Sequence, residues 1–240
     1  MASPLEQFSI EPLVPIKMGD FDASFTNSSL WMVIAITVIT LFLTLSVRHR
    51  QIVPGRLQSI AEIAYEFVGN MIRSNVGPGG RPYFPFIFTL FMFILLGNLL
   101  GLIPYSFTYT SHIIVTFGMA LVVFLGTTAI AFAKHGLKFF GFFLPQGTPI
   151  FIAPLLVPIE ILSYFTRPVS LSLRLFANMT AGHTLLKVFG GFVFAMGFLG
   201  FVPLAATIAL FGLEFLVAFL QAYVFAVLTC IYLHDALHMH

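Results

Sequence analysis

The sequence carries very little charge. Asp, Glu, Lys and Arg make up 8% of its 240 residues, whereas an average soluble domain has about a quarter of its residues charged. Hydrophobic residues account for 59%, with 30 Phe among them, and the mean hydropathy is +1.01. Because no soluble surface can be assembled from the remaining residues, the composition predicts an integral membrane protein.

Cysteine and net charge are also low. Cys230 is the only cysteine, which excludes a disulfide scaffold. A balance of 11 basic against 9 acidic residues argues against a nucleic-acid partner. No HExxH motif occurs and Cys230 has no evident base partner, so the sequence does not support an intramembrane hydrolase. We expect no cofactor, and the pair His234 and His238 is too weak a pattern to predict a metal site.

Apolar runs organise the chain as a single all-α membrane domain. A polar N-terminal segment covers 1–29 and a first span covers 30–47. A helical hairpin and two long helices follow, with predicted ranges 83–103, 112–133, 151–189 and 204–233. As one helix, 151–189 would be about 58 Å long, nearly twice the hydrocarbon thickness, so we expect strong tilting or a bend at Pro168. Gly190, Gly191, Gly197, Gly200 and Pro203 are expected in the turn before the last helix.

Residues 56–75 show a different pattern from the spans. Apolar residues recur at intervals of three and four, while charged residues occupy the remaining positions; the apolar set is Leu57, Ile60, Ala64, Phe67 and Met71. This spacing predicts an amphipathic helix. Its apolar face fits the membrane interface or a protein partner equally well, so both alternatives stay open.

Basic residues predict the orientation of the chain. Lys17 stands alone before the first span, whereas Arg48, Arg50 and Arg56 follow it. Because basic residues concentrate on the cytoplasmic side, we expect the N-terminus outside and the C-terminus on the cytoplasmic or matrix side. Lys138, after the third span, agrees with this orientation.

The last two helices contain ionisable residues at membrane depth. They are Glu160, Arg167, Arg174, His183 and Lys187 in the first helix and Glu214 in the second. Each charged group at the centre of a span costs about 2.5–3.5 kcal/mol on insertion scales. One such residue could merely form a structural pair, but six together favour a functional role.

Helical geometry arranges these residues in stripes and levels. Glu160, Arg167 and Arg174 follow at intervals of seven and share one face, whereas His183 lies about 180° round the helix from Arg174. In two antiparallel helices one residue number rises while the other falls by the same amount with depth. Pairs of residues at equal depth therefore have nearly the same sum of residue numbers. The predicted level pairs are Glu160 with Asp235, Arg174 with Gln221, and His183 with Glu214.

One run of residues carries a family resemblance. The stretch from Arg167 to His183, RPVSLSLRLFANMTAGH, closely resembles the signature of subunit a of the F-type ATP synthase membrane sector. Asn98-Leu-Leu-Gly-Leu-Ile-Pro104 and the stretch from Glu214 to Gln221 match as well. The resemblance covers nearly the whole chain and implies a stator subunit whose two long tilted helices pack against a rotating ring of subunit c.

The resemblance also implies roles for individual residues. Arg174 is similar to the family's essential arginine, which faces a carboxylate of the ring. Glu160 corresponds to the acid that lines the cytoplasmic or matrix-side half-channel, and His183 with Glu214 corresponds to the coupled pair of the other half-channel. The supporting polar residues are Asn178, Gln221, Ser170 and Arg167. The sequence lacks an extra carboxylate cluster for sodium, which favours protons.

The expected function is proton conduction that couples ring rotation to ATP synthesis, with no catalysis by this subunit alone. Expected partners are the subunit c ring, subunit b or an equivalent peripheral stalk, other ATP synthase subunits, lipid and protons. The expected location is a bacterial inner membrane, with the mitochondrial inner membrane as the alternative. A proton-coupled secondary transporter is the alternative function, although such proteins usually have two corresponding halves with interrupted helices, and none are recognisable here.

Overall fold

A computed structural model of the protein describes residues 8–15, 17–18, 21–22, 24–48, 51–103, 106–136, 139, 141 and 151–238. Arg50, Pro104 and Lys138, which some of the sequence predictions use, lie outside these ranges. The described part contains six α-helices: α1 (Asn27–Arg48), α2 (Arg56–Asn75), α3 (Phe84–Gly101), α4 (Ile113–His135), α5 (Ala153–Ala195) and α6 (Phe201–Leu237). Short 3₁₀ turns precede α3, α4 and α6.

Several of the described helices have the length and composition of membrane spans. Within the described ranges, four helical segments are long and apolar enough to cross a membrane: Asn27–Arg48, Pro78–Gly101, Ile113–His135 and Gly197–Leu237. The predicted all-α membrane fold is confirmed. Helix α5 has 43 residues and α6 has 37, which gives lengths of about 64 and 56 Å. Both exceed a hydrocarbon layer of about 30 Å, and the strong tilt expected from such lengths stays a prediction.

The N-terminal segment folds into short strands that the sequence did not predict. Strand β1 (Pro12–Val14) pairs antiparallel with β4 (Phe25–Thr26), and β2 (Lys17–Met18) pairs with β3 (Phe21–Asp22). Asn27 fixes this segment to the start of α1, because its side-chain amide donates to the Ser9 carbonyl at 3.0 Å. Strands of two or three residues are too short to show a period-two pattern.

The turn between α5 and α6 is shorter than predicted. Helix α5 runs through Gly190 and Gly191 to Ala195, and Pro168 lies inside it without ending it. The chain reverses at Gly197, where φ is +52°, a conformation that L residues with a Cβ rarely adopt. The expected turn is therefore confirmed for Gly197 and Gly200, and it was wrong for Gly190, Gly191 and Pro203, which are helical.

Helix α2 packs against the other helices of this chain. Its buried residues Val68, Met71 and Ile72 join the main hydrophobic core together with Phe91 of α3 and Phe225 of α6. Part of its apolar face is therefore covered by this chain itself, which decides neither of the two predicted alternatives, the membrane interface and a protein partner. Other apolar side chains of the helix stay exposed and leave the interfacial role as a prediction: Leu57, Ile60 and Ile63.

Small residues allow close packing at the centre of the helical bundle. Ala218, Ala222 and Ala226 follow one another along α6 at intervals of four, and each is fully buried. Side chains of this size let helix backbones approach closely, which is how helices associate within membranes. Leu175 and Met179 of α5 are buried in the same core. Helix α6 is thus held between its neighbours along much of its length.

The connection between α3 and α4 enters the interior of the protein. Thr108, Tyr109, Thr110 and Ser111 of this connection are all buried. The Tyr109 hydroxyl donates to the Phe93 carbonyl at 2.9 Å. A Cβ on Gly97 would collide with the Tyr109 ring, so this glycine makes room for the connection.

Asn98 joins this connection to two helices. Its side-chain amide donates to the Ala218 carbonyl of α6 at 3.1 Å, and its side-chain oxygen accepts from the Thr110 hydroxyl at 2.8 Å. Both bonds are buried. Because polar groups in a bilayer interior have no water to bond, such internal partners are required for a buried polar connection.

We expect Asn98→Leu to lower the free energy of unfolding by about 1–3 kcal/mol, because the buried Thr110 hydroxyl loses its acceptor. Thermal denaturation of the purified protein in detergent measures the change. Thr89→Val is the control, since the exposed Thr89 hydroxyl bonds only to the Pro85 carbonyl of its own helix. An Asn98→Leu protein as stable as the control would contradict this account.

Candidate functional site

His183 and Glu214 form a buried pair between α5 and α6. The Nδ1 atom of His183 lies 3.4 Å from Oε1 of Glu214. Relative exposure is 9% for His183 and 4% for Glu214, so both side chains are almost fully removed from the surface. The sequence predicted these two residues at one level, and the structure brings them into contact.

The position of Glu214 depends on a glycine of the facing helix. A Cβ built on Gly182 would lie 2.7 Å from Oε1 of Glu214 and 3.0 Å from its carboxyl carbon. Only a residue without a side chain therefore allows the carboxyl group to rest against the α5 backbone. Neither carboxyl oxygen accepts a hydrogen bond from the residues that the structure describes, which leaves His183 as the adjacent polar partner.

A cavity of about 720 Å³ leads to His183. It is bounded by the N-terminal segment, the end of α3, the α3–α4 connection and the facing parts of α5 and α6. Its polar and charged lining residues include Glu11, Asn27, Thr108, His183, Lys187 and Thr207. The cavity is large enough for many water molecules and therefore offers a wet route to the imidazole.

Arg174 lies on an outward face of α5, away from this cavity. Its side chain is exposed, as are those of Ser170 and Asn178 on the same face. Arg174 makes no hydrogen bond or ion pair with any residue that the structure describes. Gln221 is buried at 9% exposure, and no hydrogen bond between Arg174 and Gln221 is present, so their predicted level pairing stays a prediction.

An ion pair that the sequence did not predict joins α5 to α6. Arg167 Nη1 lies 3.1 Å from Oδ2 of Asp235, and its guanidinium lies 5.4 and 5.2 Å from the ring centres of Tyr164 and Tyr232. Asp235 thus has Arg167 as an ionic partner, and the predicted common depth of Asp235 and Glu160 stays a prediction. Two carboxylates repel one another, whereas the long Arg167 side chain brings an opposite charge to Asp235.

Glu160 stands apart from this ion pair. It is half-buried and makes no hydrogen bond or ion pair with the described residues. Along α5, Glu160 lies about 21 Å from Arg174, and Arg174 lies about 14 Å from His183, at 1.5 Å per residue. The structure thus separates an acid at one end of α5 from the His183–Glu214 pair at the other, with Arg174 between them.

The contact of Thr108 with His183 was not predicted from the sequence. The Thr108 hydroxyl lies 3.0 Å from Nε2 of His183, a contact that no spacing rule within a helix reveals. Across the described ranges, no group of three or more potential metal ligands occurs.

Comparisons with known proteins agree on one family. The family described as ATP synthase A chain matches residues 29–234. Proteins named ATP synthase subunit a are similar along their whole length. The relative from Paramagnetospirillum magneticum is 62% identical and covers 100% of both chains. The relative from Parvibaculum lavamentivorans is 56% identical over 98% of this chain and 93% of its own, and that from Rhodospirillum rubrum is 55% identical over 100% of both.

Proposed function

We propose a detailed function from one premise: the chain belongs to the ATP synthase A chain family, the proton-channel stator subunits of the Fo sector. It is therefore an integral membrane protein that acts with other ATP synthase subunits in proton transport and ATP synthesis. Nothing among the described residues favours the alternative of a proton-coupled secondary transporter.

Arg174 is the proposed divider between two proton pathways. The observation that carries this role is the exposed guanidinium between the two polar sites of α5, which has no ionic partner among the described residues. A guanidinium stays protonated because its pKa exceeds about 12, so it cannot accept a proton from one side and release it to the other. A fixed positive charge at this point prevents direct leakage.

The partner proposed for Arg174 is a carboxyl group on a rotating ring of subunit c. When a protonated carboxyl reaches the guanidinium from lipid, the positive charge favours the ionised form, and the proton is released. The carboxylate then reloads from the other side. Each proton that crosses 100 mV supplies about 2.3 kcal/mol, provided that leakage past Arg174 is slower than rotation.

Two half-channels supply and remove these protons in the proposal. The cavity that reaches His183 supports an outer half-channel, in which His183 and Glu214 exchange protons along their 3.4 Å contact. Glu160 opens to the opposite side, towards the cytoplasm or matrix. Asn178, Ser170 and Gln221 supply polar surroundings for Arg174, while Arg167 ties α5 to α6 through Asp235.

The remaining partners and the location follow from the same proposal. Subunit b or an equivalent peripheral stalk holds the subunit against the torque of the ring. The membrane is a bacterial inner membrane, with the mitochondrial inner membrane as the alternative. The N-terminus lies outside, because the excess of basic residues follows the first span.

We expect Arg174→Ala to abolish ATP synthesis driven by a proton gradient while the complex still assembles, because the barrier between the half-channels is lost. Arg174→Lys should also perform poorly, since a desolvated amine can release its proton. Synthesis is measured in energised membrane vesicles, with the exposed Arg56→Ala as the control. Normal coupled synthesis by an assembled Arg174→Ala enzyme would refute the role.

The two half-channels should open to opposite sides of the membrane. Cys230 is fully buried, so wild-type protein provides an unlabelled background for a membrane-impermeant maleimide. Thr207→Cys, in the wall of the cavity, should react only from the outside, and Glu160→Cys only from the cytoplasmic side. Labelling of both variants from the same side would exclude the two-channel arrangement.

Gly182→Ala should slow ATP-driven proton pumping by about tenfold, equivalent to about 1.4 kcal/mol in the barrier. The new methyl group displaces the Glu214 carboxyl from the α5 backbone and so from His183. Gly191→Ala is the matched control, because a Cβ at Gly191 of the same helix meets no atom within 4 Å. Equal pumping by both variants would show that the close contact is not needed.

A further inference from the structure

The α3–α4 connection holds the His183 imidazole from the side opposite Glu214. Nδ1 of His183 faces Oε1 of Glu214 at 3.4 Å, and Nε2 lies 3.0 Å from the Thr108 hydroxyl. We propose that Thr108 is a positioning residue that fixes the orientation of His183 for proton exchange, an inference that rests on the function proposed above. With both ring nitrogens in contact, rotation of the imidazole away from Glu214 would break two polar contacts at once.

A hydroxyl group suits this position because it can both donate and accept a hydrogen bond. When His183 is neutral with its hydrogen on Nδ1, the Thr108 hydroxyl donates to Nε2. When the imidazole is protonated, Nε2 carries a hydrogen and the same hydroxyl oxygen accepts it. Thr108 therefore keeps its bond to His183 in both states through which the ring must pass. A purely donating or purely accepting group would oppose one of them.

The backbone around Thr108 is itself firmly held. Its carbonyl accepts from the Ser111 hydroxyl at 2.6 Å and from the Ser111 backbone amide at 3.1 Å. The Ser111 carbonyl in turn accepts from the Thr180 hydroxyl at 3.2 Å. Thr180 and His183 lie on α5 less than one turn apart, so the connection contacts the same part of that helix through both residues.

A glycine of α3 provides the space for Thr108. A Cβ on Gly101 would collide with the side chain of Thr108. Because Gly101 follows Asn98 by three residues, one turn of α3 both anchors the connection and lets it approach. This geometry gives the glycine of the Asn98–Pro104 motif a role at the proton pathway.

Thr108 also lies in the wall of the cavity that leads to His183. The charged and titratable groups that face the imidazole or share this cavity are Glu214 of α6, Lys187 of α5 and Glu11 of the N-terminal segment. Thr108 is the uncharged polar group that touches Nε2. A change at this residue therefore tests the orientation of the imidazole without altering any charge at the site.

The test compares the pH profile of ATP-driven proton pumping by the whole enzyme in membrane vesicles. Thr108→Val keeps the shape of the residue and removes its hydroxyl. The protonated imidazole then loses a charge-assisted bond and the neutral imidazole loses an ordinary one, so the protonated form is destabilised more. We expect slower pumping and a pH profile moved by about half to one unit towards acid.

Further variants separate positioning from packing. Thr108→Ser should restore the wild-type profile, and Thr108→Ala, which adds no bulk, should reproduce the shift. Thr116→Val is the matched control, since the buried Thr116 hydroxyl bonds only to carbonyls at the start of α4. Thr110→Val disturbs the same connection without touching His183, so it should leave the profile in place.

Three outcomes overturn the inference. The first is a wild-type profile in Thr108→Val together with slow pumping in His183→Ala, which would leave the proposed function intact. The second is an equal shift in Thr110→Val, which would reduce Thr108 to a packing role. The third is normal pumping in His183→Ala, which would overturn the half-channel assignment and this inference together.

Discussion

The close antiparallel packing of α5 against α6 is the constraint on which the rest of the structure depends. Gly182 of α5 helps to make it possible, since a Cβ at this position would meet the Glu214 carboxyl of α6. Only at this separation can the Glu214 carboxyl lie 3.4 Å from the His183 imidazole. The site is therefore a consequence of backbone distance as much as of the chemistry of its two side chains.

The polar α3–α4 connection also depends on close packing that glycines allow. Polar groups inside hydrocarbon must find partners within the protein. Tyr109, Thr110 and Ser111 each have one, and Gly97 and Gly101 let the connection come close enough to make these contacts. A hydrogen-bond network in which every polar group has a partner is rigid. Breaking one of its hydrogen bonds would leave a buried polar group with no partner and no water to replace it. The connection is thus able to act as a fixed support.

The sequence predicted the parts of this structure that follow from helical periodicity. The order of the helices and the contact of His183 with Glu214 could be read from spacing, since both helices run regularly to their turn. The ion pair of Asp235 with Arg167 could not be read from spacing, because it depends on the length and charge of the Arg167 side chain and not on depth alone. The contact of Thr108 with His183 joins residues 75 positions apart, and Thr108 lies in a segment without helical periodicity, so no sequence pattern predicts the contact.

Two arginines of α5 have different surroundings, and this difference supports the separate roles proposed for them. Arg167 and Arg174 are seven residues apart, yet Arg167 lies between two tyrosine rings and binds Asp235, whereas Arg174 projects outward with no ionic partner in the described chain. A guanidinium left unpaired at membrane depth is unfavourable by several kcal/mol on most scales. The chain satisfies the first charge internally, and the second requires a partner from outside, a requirement that a carboxylate on a neighbouring subunit would meet. The chain thus provides Arg167 with an ionic partner of its own and presents Arg174 on an exposed face.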